Sequence, residues 1–157
     1  MSHPSKDLKV EESSLRSVID ILIDSQDGFQ KIAEELEDEG LKRWFLEESL
    51  RRAEFRGDLE TVLHQEGVHD IEEGGTAAGT VNRVWVELKA KLGGGDHTIL
   101  ATAEEGEDAA KTAYAEALAT FLPHPVRELL TRQGAHIEES HDFIKTARDK
   151  AARDSSK

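Results

Sequence analysis

The sequence predicts an all-α fold, a four-helix bundle in up-down-down-up order, and three observations carry that expectation. Four long stretches repeat apolar residues in alternating steps of three and four, which keeps them on one face of a 3.6-residue helix. Breakers separate the stretches: Gly40 after Glu37-Asp38-Glu39, a glycine-rich passage from Gly67 to Gly79, Gly93-Gly94-Gly95, and Pro123-His124-Pro125. The 157 residues are 37% hydrophobic but only 5% aromatic, so the core must be built from Leu, Ile, Val and Ala, which suits packed helices better than stacked sheets. The length fits one domain.

The first helix is expected from about Ser13 to Asp38, after a flexible segment 1–12, with Ser13 or Ser14 as N-cap. Its seam is Leu15, Ile19, Leu22, Gln26, Phe29, Ala33 and Leu36, broken only at Gln26. The second runs from about Leu41 to Gln65 with the seam Leu41, Phe45, Glu48, Arg52, Phe55, Leu59 and Val62, in which two charged residues occupy the apolar stripe. A short amphipathic helix, Thr80 to Leu92, shows Val81, Trp85, Leu88 and Leu92 on one face and reads as part of a crossover. The third helix is expected from Asp96, as N-cap, to about Leu122, with the seam Leu100, Ala103, Glu107, Ala110, Tyr114, Ala117 and Phe121. The fourth runs from about Pro125, acceptable in a first turn, to about Ala152, with 153–157 frayed. Its seam is Val126, Leu130, Gln133, Ile137, His141, Ile144 and Arg148. Short connections inside each pair and a roughly 30-residue connection between pairs give two antiparallel hairpins joined by a crossover.

Composition narrows the function classes. The absence of Cys removes disulfides, thiolate nucleophiles and iron–sulfur or zinc-finger sites, so any metal needs carboxylate and imidazole ligands. A net charge of −13 argues against nucleic acid and against an anionic membrane surface. No apolar run approaches the roughly 20 residues that span a bilayer, and Met1 to Lys9 lacks the apolar stretch of a signal peptide, so a cytoplasmic protein is expected.

Chemistry concentrates in the seams. Gln26, Glu48, Glu107 and Gln133 flank their loops at similar distances, which places all four near mid-bundle, and a carboxylate in an apolar interior is costly unless paired or bound to a cation. One reading is a polar core layer in which Arg52 pairs with Glu48 or Glu107, with Gln26, Gln133 and Tyr114 around it. The other is a metal site, possible ligands being Glu48, Glu107, Glu138, His141 and His136, because residues three apart on a helix converge on one ion. The fourth helix supplies Glu138-x-x-His141 and Gln133-x-x-His136, whereas the second supplies Arg51 where a matching His is required. Gly93-Gly94-Gly95 lacks the Lys-Ser/Thr of a phosphate loop.

Asp24-Ser25-Gln26-Asp27-Gly28-Phe29, Arg83-Val84-Trp85 with Leu88-Lys89, Gly106-Glu107-Asp108 with Tyr114 and Ala117-Leu118, then Gln133 and His141-Asp142, follow a recognisable order. In these residues the chain resembles the small bacterial four-helix-bundle proteins of the ferritin-like superfamily that form a domain of unknown function. The resemblance implies a ferritin-like bundle, with relatives in the wider superfamily that store iron, reduce peroxide or oxidise substrates at dimetal centres. It departs from them at Gln26, in place of a carboxylate, and at the missing His of the second helix. The leading expectation is a non-enzymatic or weakly metal-binding, stress-associated bundle, alone or as a homo-oligomer. The alternatives are an iron- or manganese-dependent oxidoreductase or iron-handling protein, and a module that docks a protein partner through its acidic surface or Trp85.

Overall fold

In the computed structural model, residues 5–68 and 95–155 are described. They form four helices, α1 (Ser5–Glu35), α2 (Glu39–Gln65), α3 (Asp96–Leu118) and α4 (His124–Ser155), with no strand among the described residues. The amphipathic helix expected at Thr80 to Leu92 lies outside them.

The order of the bundle follows from contacts at its ends. Asp96, at the start of α3, accepts hydrogen bonds from the backbone N–H of Glu37 and Asp38, at 2.9 and 3.2 Å, just beyond the end of α1. Trp44 near the start of α2 stacks on Phe143 near the end of α4, with ring centroids 4.3 Å apart. α1 and α4 therefore run one way and α2 and α3 the other, the expected up-down-down-up arrangement. α1 packs against α2 and α3, and α4 packs against the same two, so α2 and α3 face each other across a diagonal.

The seams become the core. Leu15, Ile19, Leu22, Phe29 and Leu36 of α1, Phe45 and Leu59 of α2, Leu100 and Tyr114 of α3, and Val126, Leu130, Ile137 and Ile144 of α4 are all buried. Each such side chain contributes roughly 1.5–3 kcal/mol by leaving water. On α3, Ala103, Gly106, Ala110, Ala113 and Ala117 are small, which lets the neighbouring helices approach closely.

The ends differ from the sequence expectation. α1 begins at Ser5, not Ser13: the Ser13 carbonyl accepts from Ser17 Oγ inside the helix, and no Gly or Pro lies between Ser5 and Ser13 to stop it. Asp38, beyond α1, caps α2 by accepting from Leu41 N–H at 2.9 Å. The N-cap of α3 is Gly95 at φ 84°, because the Asp96 carboxylate is turned to the α1–α2 loop. α3 stops at Leu118, since Arg127 donates to the carbonyls of Leu118 and Thr120 and Thr120 Oγ1 donates to that of Ala117. Phe121, expected in the seam, is consequently 79% exposed. α4 continues through Arg153, where a frayed tail was expected.

Candidate functional site

Four helices bring a charged layer to mid-bundle. Arg52 of α2 is wholly buried, and its guanidinium crosses the diagonal to Glu107 of α3 in a two-pronged pair, Nη1 to Oε1 at 2.7 Å and Nη2 to Oε2 at 2.8 Å. Its Nε donates to Glu48 Oε2, one turn back on α2, at 3.1 Å, and Nη2 also donates to Ser140 Oγ of α4 at 3.1 Å. The guanidinium carbon sits 4.9 Å from the centroid of the Phe29 ring of α1. Planar donors matched to a carboxylate in this way make the strongest kind of ion pair, and Arg accepts burial better than Lys because it is more weakly hydrated.

His136 of α4 completes the layer, with Nε2 at 2.8 and 3.0 Å from the two oxygens of Glu48. Burial alone would raise the Glu48 carboxyl, but the His136 hydrogen bond and the Arg52 charge outweigh it and hold Glu48 below its ordinary range. Burial would likewise lower Arg52, yet Glu107 raises it, so the guanidinium stays charged. One level further along, Tyr114 donates to Gln133 Oε1 at 2.8 Å, and Gln133 Nε2 donates to the Phe55 carbonyl at 3.0 Å. Burial pushes the Tyr114 phenol up, which suits a donor and not a base.

The metal candidates of the sequence fall in three separate places. Glu107 and Glu48 join Arg52, and His136 joins Glu48. Glu138 is 60% exposed at the surface, 3.7 Å from Lys111 Nζ. His141 lies at the α3–α4 edge, with Nε2 2.9 Å from Asp108 and 3.5 Å from Glu104, and Nδ1 3.2 Å from Asp142. The expected convergence of Glu138 and His141 fails because position 138 turns outward beside buried Ile137. Gln133 and His136 diverge too, one to Tyr114 and the other to Glu48. Gln26 is half-buried, and its backbone carbonyl accepts from Ser49 Oγ at 2.8 Å, which fixes the α1–α2 register. Among the described residues, no group of three or more His, Asp or Glu is arranged to hold a metal ion.

Ser140 is absent from the sequence-based candidates, and Phe29 appears there only as a seam residue, not as a neighbour of Arg52. Ser140, one turn after His136, is signalled by a small polar residue between Ile137 and Ile144, and Phe29 reads simply as core. A cleft of about 260 Å³ between α2 and α4 connects the layer with solvent, lined by Trp44, Glu48, Arg51, His136, Ser140 and Phe143 among others. The residues present do not fit a dimetal centre. Both oxygens of Glu107 are taken by Arg52, and a cation there would meet the guanidinium before it met a ligand.

A family model described as domain of unknown function DUF2383 matches residues 10–120, and the chain belongs to that family. The match spans α2, α3 and most of α1, while α4, which carries His136 and Ser140, lies beyond it. Among curated proteins, none matches the chain.

Proposed function

We propose that this DUF2383 member works as a non-catalytic helical bundle whose interior charge is balanced by Arg52, in the place where carboxylate bundles hold metal. The observation that supports it is the four-bonded guanidinium, wholly buried between Glu107, Glu48 and Ser140. Arg52 donates to each oxygen of Glu107 and holds a fixed positive charge against it, so a metal ion at Glu107 is opposed by the guanidinium, and iron storage, peroxide reduction and oxidation there are disfavoured. No described helix is long and apolar enough to cross a membrane, and the −13 charge argues against a nucleic-acid partner. The stress-associated role rests on the family resemblance alone.

Weak metal binding is a second reading, favoured by the Glu48–His136 pair at the base of the solvent-reaching cleft. It offers one carboxylate and one imidazole, which is few ligands for a tight site.

Metal analysis separates the two. Protein purified without chelator is expected to carry far less than one iron, manganese or zinc per chain, with a melting temperature that added Fe(II), Mn(II) or Zn(II) leaves unchanged. Stoichiometric metal that disappears in Glu107→Ala would sink the non-catalytic reading. Metal that is lost in Glu48→Gln but kept in Glu107→Ala would establish the weak site in its place.

A further inference from the structure

Helix α2 buries one face and leaves a second apolar line in solvent. Leu46 is 49% and Leu50 62% exposed, and Ala53 and Gly57 continue the line in steps of three and four. This stripe lies away from Phe45, Glu48, Arg52 and Leu59, which face the interior. Alternating steps of four and three form the seam along which a second helix packs, and small residues on it let two backbones approach closely.

Gly57 supplies an independent observation. Glycine is the poorest helix former after proline, so its place in mid-helix asks for a reason. Among the described residues, a Cβ built there meets nothing within 4 Å, so no described contact requires glycine. Gly57 is itself exposed, so the space above it is not filled by any described residue.

We propose that a second copy of this chain docks on this face, α2 against α2, antiparallel about a two-fold axis midway between positions 51 and 52. The sequence of the face is self-complementary about that point, because the numbers of each facing pair sum to 103. Leu46 meets the partner's Gly57 and Leu50 meets the partner's Ala53, so each large side chain lies over a small one. Exposed Arg43 meets the partner's Glu60, whose counterpart here is 46% exposed and held by Arg56 at 3.2 Å. Glu39 meets the partner's His64. A two-fold contact places one patch against itself, so it demands this kind of internal match.

Charge is compatible with the same face. Two copies at −13 repel each other, and α2 is nearly neutral, with six acidic and five basic residues, as is α4 with six of each, whereas α1 has eight against four and α3 six against one, so a contact through α2 avoids the acid-rich helices. The face runs the length of the 27-residue α2, roughly 40 Å at 1.5 Å per residue.

Sedimentation of the full chain up to about 300 µM tests the pairing, since a weaker dimer would be idle at ordinary concentrations. A mass near twice 17.4 kDa is expected for the wild type. Gly57→Leu should weaken the dimer at least 100-fold while the circular dichroism and the unfolding temperature of the monomer hold or improve. Arg43→Glu should weaken it as well, and Arg43→Glu with Glu60→Arg should restore it. A chain that stays monomeric throughout overturns the proposal, even if the face captures a different protein. So does an assembly that survives Gly57→Leu and Arg43→Glu together.

Discussion

Arg52 is where a single residue decides most. Replacing it with Leu leaves Glu107 buried without its counter-charge, and breaking a buried pair in this way costs about 3–5 kcal/mol. Urea unfolding of Arg52→Leu should show that loss, and Arg52→Leu with Glu107→Leu should recover most of it, because an apolar pair of similar volume needs no compensation. A double variant as unstable as the single one would show that Glu48 and Ser140, not Glu107, are the partners that matter. The presence of this layer was legible in the sequence: Glu48, Arg52 and Glu107 interrupt otherwise apolar seams. Its pairing was not, because Arg52 reaches across a diagonal whose register depends on all four helices. Asp24 adds a second test at this scale. Burial, with Asp20 and Asp27 nearby, raises its carboxyl from 3.8 to about 6, and its Oδ2 is buried without a hydrogen bond. The folded state therefore binds this proton more tightly than the unfolded chain. The resulting penalty is full above about pH 6 and fades as pH falls toward 3.8. Asp24→Asn should stabilise the protein at pH 7 by about 1 kcal/mol, solvent around this partly exposed group keeping the gain small, and by nothing near pH 4. Glu48 acts with the opposite sign: its lowered carboxyl contributes stability above its ordinary 4.5 that is lost on further acidification. Melting temperatures of wild type and Asp24→Asn across pH 3–8 would show both trends.

At the scale of elements, the helix interiors were legible and the helix ends were not. A seam such as Val126, Leu130, Ile137 and Ile144 needs only local spacing to be read, and all four residues are buried. A cap can come from far along the chain. Arg127 ends α3 by taking carbonyls nine and seven residues earlier, and Asp96 ties down the α1–α2 loop from 58 and 59 residues away. Those partners leave no periodic trace, so spacing alone assigns Phe121 to the core and Asp96 to a cap. The Asp96 carboxylate accepts two backbone N–H groups, each charge-assisted bond being worth roughly 1.5–3 kcal/mol when intact and less at an exposed site. Asp96→Ala should cost about 1–2 kcal/mol in urea unfolding and should speed amide exchange at Glu37 and Asp38 more than at mid-α1 residues such as Leu22. Uniform acceleration along α1 would mean that the loop is held by something other than Asp96.

Across the whole molecule, charge is unevenly divided. α1 and α3, the two acid-rich helices, pack side by side, whereas α2 and α4 are close to neutral. Two opposing effects then set the response to salt. Exposed pairs such as Arg56–Glu60 and Lys111–Glu138 weaken when screened, but such pairs contribute roughly 0–1 kcal/mol each. Repulsion along the α1–α3 side also weakens, and it sums over many like charges at the −13 of the chain. The Arg52–Glu107 pair has no exposed surface and takes little part in either effect. Repulsion is the larger of the two, so stability should rise with ionic strength. Between 0.01 and 0.1 M salt the screening length shrinks from about 30 to about 10 Å, which is where most of the gain should fall. A gain of roughly 1–2 kcal/mol corresponds to a melting temperature about 2–8 °C higher for a chain of this size. Measuring it in NaCl and again in an equal ionic strength of a different monovalent salt distinguishes screening from specific ion binding. A melting temperature that falls with salt would show instead that the surface ion pairs outweigh the repulsion between α1 and α3.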